Sequence, residues 1–165
     1  MKMLEVKIDG LALDMTTNTP VVILSPLEID KVLPIWIGHA EAWAIAMELS
    51  GIGSNRPLTH DLLKQVIAAF DARIDRIEIT ELREQTFYAV IHLVDDNRSW
   101  QIDARPSDSI ALALKTGSKI FVNEELFNVA PDATSSGKLN MPTDPESLRD
   151  RLKKINPEDF GKYSL

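Results

Sequence analysis

The side chains best suited to chemistry in this chain lie where a predicted strand meets a predicted helix. Asp103, Arg105 and Asp108 fall within six residues, on either side of Pro106. Unpaired N–H groups at a helix N-terminus favour anions, so charges placed there can meet a ligand. One interpretation is that Asp103 and Asp108 hold a divalent cation while Arg105 binds phosphate. The alternative is a capped helix with an Asp–Arg salt bridge and no ligand.

A second junction follows Arg56 and Pro57, where Thr59 is the expected N-cap of a helix. His60 can move a proton near neutral pH, which suits a general acid or base. Arg56 is a candidate for binding substrate phosphate. The alternative is an exposed polar histidine beside an Asp61 that only compensates the helix dipole.

The third junction begins at Gly38, where the following N–H groups can receive an anion. His39 is a candidate for substrate binding, and Glu41 is a further candidate metal ligand. Glu41 and Glu48 are seven residues apart and share a helix face, which is also the pattern of a solvated surface.

The elements that must position these junctions come in two similar halves, each with three strands followed by a helix. Strands are predicted at 4–13, 21–24 and 33–37, and the first helix runs from Gly38 to Ser50 with Gly51 as a left-handed cap. The second half has strands at 73–82, 86–94 and 99–104, a helix from about 107 to 116 and a closing strand at 119–123. The predicted fold class is therefore α+β, with duplicated strand-strand-strand-helix units in a mixed sheet and helices packed on it.

Residues 35–47 can be aligned with 102–114, which places Glu41 on Asp108. Internal duplication and coincidence both remain open for a match this short. Duplication predicts that the two junctions are related by a pseudo-twofold axis.

Outside the duplicated halves, the pattern predicts one helix between them and a second near the C-terminus. The first begins near Thr59, and its apolar residues recur at helical spacing. Residues 1–127 form the predicted domain, 128–145 a linker rich in Pro, Ser, Asp, Thr and Gly, and 146–165 an amphipathic helix and tail. The apolar stripes of these two helices are Leu62, Leu63, Val66, Ile67 and Phe70 in one, and Leu148, Leu152 and Ile155 in the other.

The composition limits the classes of function. A net charge of −7 over 165 residues argues against a protein that coats nucleic acid, because such binding depends on Lys and Arg. The chain has no cysteine, no apolar run long enough to span a bilayer and no signal-peptide pattern at its start. These features predict a cytoplasmic protein without a membrane partner. Phosphate-loop, zinc-helix and nucleophile-elbow motifs are absent, and no organic cofactor is expected. The three tryptophans are expected in the core or an interface rather than as platforms for bases.

Three motifs occur in order: LPIWIGHAEAWAIA at 33–46, RPLTHDLL at 56–63 and IDARPSDSIALAL at 102–114. Together they resemble the bifunctional nuclease domain family over roughly residues 3–126. The resemblance implies a compact α+β domain that often self-associates, and plant members are reported to degrade both DNA and RNA. The positions that match the family motifs are His39 and Glu41 in the first, Arg56, His60 and Asp61 in the second, and Asp103, Arg105 and Asp108 in the third. Ser109 stands where many relatives have alanine, and both residues are small.

The function predicted on this basis is that of a nuclease that hydrolyses DNA or RNA, with Mg²⁺ or Mn²⁺ as the possible divalent cation. Asp103, Asp108, Arg105 and His60 are its expected catalytic residues. Arg56, Arg105 and His39 would bind substrate, and Asp103, Asp108 and Glu41 would hold the metal. The alternative is a non-catalytic module that binds an anion or a protein. Under either hypothesis the chain is expected to form a homo-oligomer, with a dimer as the first expectation.

Overall fold

A computed structural model describes residues 1–129, which form one seven-stranded sheet and four helices. The strand order in the sheet is β3-β2-β1-β7-β4-β5-β6. The elements are β1 (Met3–Asp14), β2 (Thr19–Pro26), β3 (Leu33–Trp36), α1 (His39–Ser50), α2 (Thr59–Ala69), β4 (Arg73–Arg83), β5 (Thr86–Val94), β6 (Ser99–Ala104), α3 (Pro106–Thr116), β7 (Lys119–Asn123) and α4 (Leu126–Val129).

The sheet is mixed, and its strand directions repeat about β7. Neighbouring strands are antiparallel except for β4 and β7, which are parallel. A half-turn about an axis through the sheet near β7 therefore exchanges β1–β3 with β4–β6 in both order and direction. This arrangement confirms the predicted α+β class and its repeated strand-strand-strand-helix units.

The core lies between the sheet and the helices α1 and α3, which also pack against each other. Ile77 and Ile79 of β4 are fully buried, and they pair in register with Ile91 and Ala89 of β5. Ile110 of α3 is also fully buried. Burial of a side chain of this size stabilises the fold by about 1.5–3 kcal/mol relative to exposure. Packing against this core positions α1 and α3 on the sheet.

The helix ends follow the local sequence, with one difference from the prediction. α1 and α3 end at Gly51 and Gly117, whose φ angles of 69° and 70° suit glycine, and the predicted cap at Gly51 is confirmed. The N-cap of α2 is Leu58, so the expectation of Thr59 is wrong by one residue. The carboxylate of Asp61 accepts a hydrogen bond from the N–H of Leu58 at 2.9 Å, so the third residue of the helix satisfies the N–H of the N-cap residue.

α2 packs mainly on α3 and leaves four of the five residues of its predicted apolar stripe exposed. Leu62, Leu63, Val66 and Phe70 are 56%, 41%, 44% and 78% exposed. Ile67, the remaining residue of the predicted stripe, packs against the core, and Asp61 forms an ion pair with Lys115 of α3. Helical spacing alone does not show which partner a stripe faces.

The predicted linker lies outside the described residues, apart from its first two positions, which belong to α4. The predicted C-terminal helix at 146–165 lies wholly outside them. Within residues 1–129, no helix has the length and apolarity that a membrane crossing requires.

Candidate functional site

The first turns of α1, α2 and α3 meet at one cleft of about 950 Å³. Residues of all three helices line it, together with the segment 52–58 that joins α1 to α2. Each helix carries an acidic residue at its third position, namely Glu41, Asp61 and Asp108. All three carboxylates line the cleft. The structure therefore brings the three sequence junctions together.

Arg105 joins two of these helix starts. Its Nε donates to Oδ2 of Asp108 at 2.8 Å, and its Nη2 donates to Oδ1 of Asp108 at 3.2 Å and to Oε1 of Glu41 at 2.8 Å. The Arg105 side chain is 64% exposed, and its Nη1 has no partner among residues 1–129. A guanidinium carries five N–H donors, so Nη1 retains two for an anion.

His60 connects α2 to the same network. Its Nε2 lies 3.0 Å from Oδ1 of Asp108, and its side chain is only 11% exposed. An ionised carboxylate only accepts hydrogen bonds, so Nε2 carries the proton of the neutral ring. Nδ1 is then the basic nitrogen, and it has no hydrogen-bond partner within the described part of the chain. This Asp–His pairing is the arrangement that orients a histidine for proton transfer.

The charges of the network stabilise one another. Burial by itself would raise the pKa of Asp108, but hydrogen bonds from Arg105 and His60 outweigh it and hold that pKa below its ordinary value. The pKa of Arg105 is raised, chiefly by its hydrogen bonds to Asp108 and then to Glu41. Asp108 is therefore a carboxylate and Arg105 a cation at neutral pH.

Lys115 forms a second charged cluster in the cleft, which the sequence analysis did not identify. Its side chain is 9% exposed, and Nζ lies 2.7 Å from Oε1 of Glu48 on α1 and 2.7 Å from Oδ1 of Asp61 on α2. Burial would lower the pKa of Lys115, but hydrogen bonds from Nζ to these carboxylates raise it overall. The signal in the sequence was a lysine in the last turn of α3, directly after the apolar run from Ile110 to Leu114. Lys115 joins the three helices at a point away from Arg105.

The other predicted site residues lie in different surroundings. Arg56 is exposed on the cleft wall and has no ion pair or hydrogen bond within residues 1–129. His39 is exposed at the start of α1 and is not among the cleft-lining residues. Asp103 is exposed on β6 and also lies outside the cleft. Ile102 pairs with the core residue Ile91, so alternation along the strand turns Asp103 to the face away from the helices.

The expected metal ligands do not fit a divalent cation in this arrangement. Glu41 and Asp108 both neutralise Arg105, and Asp103 is on the other face of the sheet. No group of three or more His, Asp or Glu side chains within the described range 1–129 is placed to hold a metal. A hard cation needs several oxygen ligands together, and this donor set does not supply them. The predicted Arg–Asp salt bridge is present between Arg105 and Asp108 at the start of α3, and an open cleft adjoins it.

Comparisons with known proteins identify the family of the chain. The model of the bifunctional nuclease domain matches residues 22–134, which include all three junctions. The resemblance inferred from the motifs is thereby confirmed. Two uncharacterized proteins, from two strains of Mycobacterium tuberculosis, are each 38% identical to the chain over 162 residues. The alignments cover 94% of this chain and 97% of each relative.

Proposed function

Because the chain belongs to the bifunctional nuclease domain family, we propose that it hydrolyses phosphodiester bonds of nucleic acid in the cleft where α1, α2 and α3 begin. The observation that carries the proposal is the contact between His60 and Asp108 beside Arg105. This contact supports the proposal because His60 would accept a proton beside a cation that has free donors for phosphate, and both roles lower the barrier to phosphoester hydrolysis.

Substrate phosphate would bind at Nη1 of Arg105 and at the guanidinium of Arg56 on the cleft wall. A guanidinium matches the geometry of phosphate oxygens and keeps its charge at every physiological pH. The first turns of three helices add partial positive charge at the same place. Arg105 would stay in position because Asp108 and Glu41 hold its other nitrogens.

In the proposed step, Nδ1 of His60 takes a proton from a water molecule, whose oxygen attacks phosphorus. A new P–O bond forms, the P–O bond to the leaving sugar oxygen breaks, and His60 returns the proton to that oxygen. One phosphodiester and one water thus become a phosphate monoester and a hydroxyl. Asp108 holds the imidazole through Nε2 and stabilises the imidazolium that forms during the step. No metal takes part in this step, since the carboxylates are engaged with Arg105.

The experiment compares wild-type protein, His60→Asn and the control His39→Asn, all purified identically, on labelled single-stranded DNA and RNA. We expect His39→Asn to cleave at the wild-type rate, because His39 lies outside the cleft. His60→Asn should cleave at least about 100-fold more slowly than wild type, with little change in melting temperature. Equal cleavage by wild type and His60→Asn would indicate a contaminating nuclease and end the proposal. Each reaction is run with Mg²⁺, with Mn²⁺ and with a chelator, and complete loss with the chelator would contradict the metal-free step.

One observation favours a second candidate, a non-catalytic anion-binding module. Glu41 and Asp108 already neutralise Arg105, which is also how a binding site keeps an arginine in place. In that case the oligonucleotide would bind in the cleft, and the Arg56→Gln variant would weaken binding. Neither the wild type nor any variant would cleave the oligonucleotide.

We further propose that the protein acts in the cytoplasm as a homo-oligomer, with a dimer as the first expectation. The absence of cysteine supports the cytoplasmic location. The exposed apolar residues of α2 support the homo-oligomer, because exposed contiguous apolar side chains commonly mark protein interfaces.

A further inference from the structure

Lys115 is a buried cation in the last turn of α3 that the proposed reaction does not use. Its Nζ lies 2.7 Å from Oε1 of Glu48 on α1 and 2.7 Å from Oδ1 of Asp61 on α2. Taking such charges out of water is costly, and a buried ion pair is often no more stabilising than apolar side chains of similar size. The pairing is therefore better explained by what it holds in place than by stability alone.

The helix that Lys115 holds, α2, has few apolar contacts with the rest of the protein. Ile67 is the apolar residue of α2 that packs against the core, and the other apolar residues of the helix are exposed. The remaining contacts with α3 are polar. Lys64 donates from Nζ to the backbone oxygen of Lys115 at 3.0 Å, and Asp61 pairs with the Nζ of the same residue. Polar contacts at Lys115 thus contribute much of what sets the position of α2.

Asp61 connects this attachment to the histidine of the proposed reaction. It follows His60 directly in the chain, and its Oδ2 accepts from the N–H of Leu58 while its Oδ1 pairs with Lys115. The backbone on both sides of His60 is therefore tied to the last turn of α3. His60 itself contacts Asp108 in the first turn of the same helix.

Resting on the proposed function, we infer that Lys115 is a positioning residue, which sets the start of α2 through Asp61 so that His60 keeps its Nε2 on Asp108. Nδ1 then stays available for proton transfer. Lys115 touches neither the substrate nor the reacting atoms in this proposal. A displacement of about 1 Å at a reacting group can lower a rate about 100-fold, so a side chain that only fixes the helix can still control the reaction.

The kinetic test compares wild type with Lys115→Met on a labelled oligonucleotide. The substitution should lower kcat about 10- to 100-fold and leave KM within about twofold, because His60 moves the proton whereas Arg56 and Arg105 bind the phosphate. The control is Lys119→Met, which removes an exposed ion pair of the same kind and should cleave at the wild-type rate.

A triple variant separates position from stability. It combines Lys115→Met with Glu48→Gln and Asp61→Asn, so that no carboxylate is left without its cation. We expect it to recover part of the melting temperature lost in Lys115→Met and to keep the low kcat, because α2 is still detached from Lys115.

A second readout needs no substrate. Long-range proton–nitrogen NMR correlations of the neutral imidazoles report which ring nitrogen of each histidine carries the proton, and His60→Asn identifies the signals of His60. Wild type should show the Nε2–H tautomer at His60, because Asp108 accepts from that nitrogen. Lys115→Met and the triple variant should move His60 toward the tautomer mixture of a solvated ring, while His39 and His92 keep their signals.

An unchanged kcat and an unchanged His60 tautomer in folded Lys115→Met would overturn the inference and leave the nuclease proposal standing. Recovery of kcat together with melting temperature in the triple variant would show a role in stability alone and would also overturn it. If neither variant folds, the milder Asp61→Asn decides in their place, because its single side-chain oxygen cannot serve both Leu58 and Lys115. Absence of cleavage by the wild type would instead refute the proposed function, and the His60 tautomer would still decide the role of Lys115.

Discussion

Arg105 of α3 donates from Nη2 to Oε1 of Glu41 on α1 at 2.8 Å, although the two residues are 64 positions apart in the chain. Glu41 and Asp108 are the third residues of α1 and α3, so they occupy equivalent positions in the two halves. Their N-caps are Gly38 and Arg105, and only the second half carries an arginine there. One guanidinium therefore serves both carboxylates, and the pseudo-symmetric halves form an asymmetric site.

Gly38→Ala should separate Glu41 from Arg105. A Cβ at position 38 would collide with Oε2 of Glu41, while the backbone at φ −73° accepts alanine without strain. We expect the free energy of unfolding, measured with urea, to fall by about 0.5–1 kcal/mol from the lost ion pair. Alanine is also a poorer N-cap than glycine, and that cost appears in every background.

A double-mutant cycle isolates the collision. In a Glu41→Ala background, Gly38→Ala should cost less by the value of the ion pair, because nothing is left to displace. Gly53→Ala is the control, since its Cβ would meet no atom within 4 Å. An identical loss in both backgrounds would contradict the role of Gly38.

Asp108→Asn should destabilise the protein in a pH-dependent manner. Because the pKa of Asp108 is lower in the folded chain than its ordinary value near 4, its carboxylate stabilises the fold fully above that value. The stabilisation is lost as the pH falls through the lower folded pKa. The difference in unfolding free energy between wild type and Asp108→Asn should therefore be largest near pH 7 and shrink below about pH 4. A difference that is constant from pH 7 to pH 3 would show that the charge of Asp108 is not what matters.

Lys115→Met should cost about 1–3 kcal/mol of unfolding free energy. The substitution leaves Glu48 and Asp61 without their shared cation, and both are partly buried. Adding Glu48→Gln and Asp61→Asn should recover part of the loss, because the unpaired charges are then removed. The control is Lys119→Met, whose exposed pair with Glu5 should be worth less than about 1 kcal/mol. Equal effects at Lys115 and Lys119 would argue against a role for the buried cation.

Replacement of Leu62 and Phe70 by serine should shift the protein toward monomers if the outward stripe of α2 joins two copies. Both side chains are more than half exposed, so the fold should keep its melting temperature within a few degrees. The measurement is size-exclusion chromatography with light scattering over a range of concentrations. Met15→Ser, at an exposed turn away from α2, serves as the control. A wild-type protein that is monomeric at every concentration would refute the interface.

The order and type of the elements followed from local patterns. Alternation in β1 and the β4–β5 hairpin, glycine at position 51 and Pro106 at the start of α3 act over a few residues, so they are visible in the chain itself. The three family motifs were visible for the same reason. Each motif combines a junction with its neighbouring charges.

Which charges meet was decided by the tertiary structure. Helical spacing shows that α2 has an apolar stripe, but in the structure Asp61 pairs with Lys115 and four of the five stripe residues are exposed. Alternation along β6 placed Asp103 on the far face of the sheet, while Arg105, which follows the end of that strand, reached Glu41. Contacts between residues 48 to 67 positions apart depend on how whole elements pack, and the charges of such residues carry no local trace of their partners. The sequence therefore determined the candidate groups, and only packing of the three helix starts determined that they share one cleft.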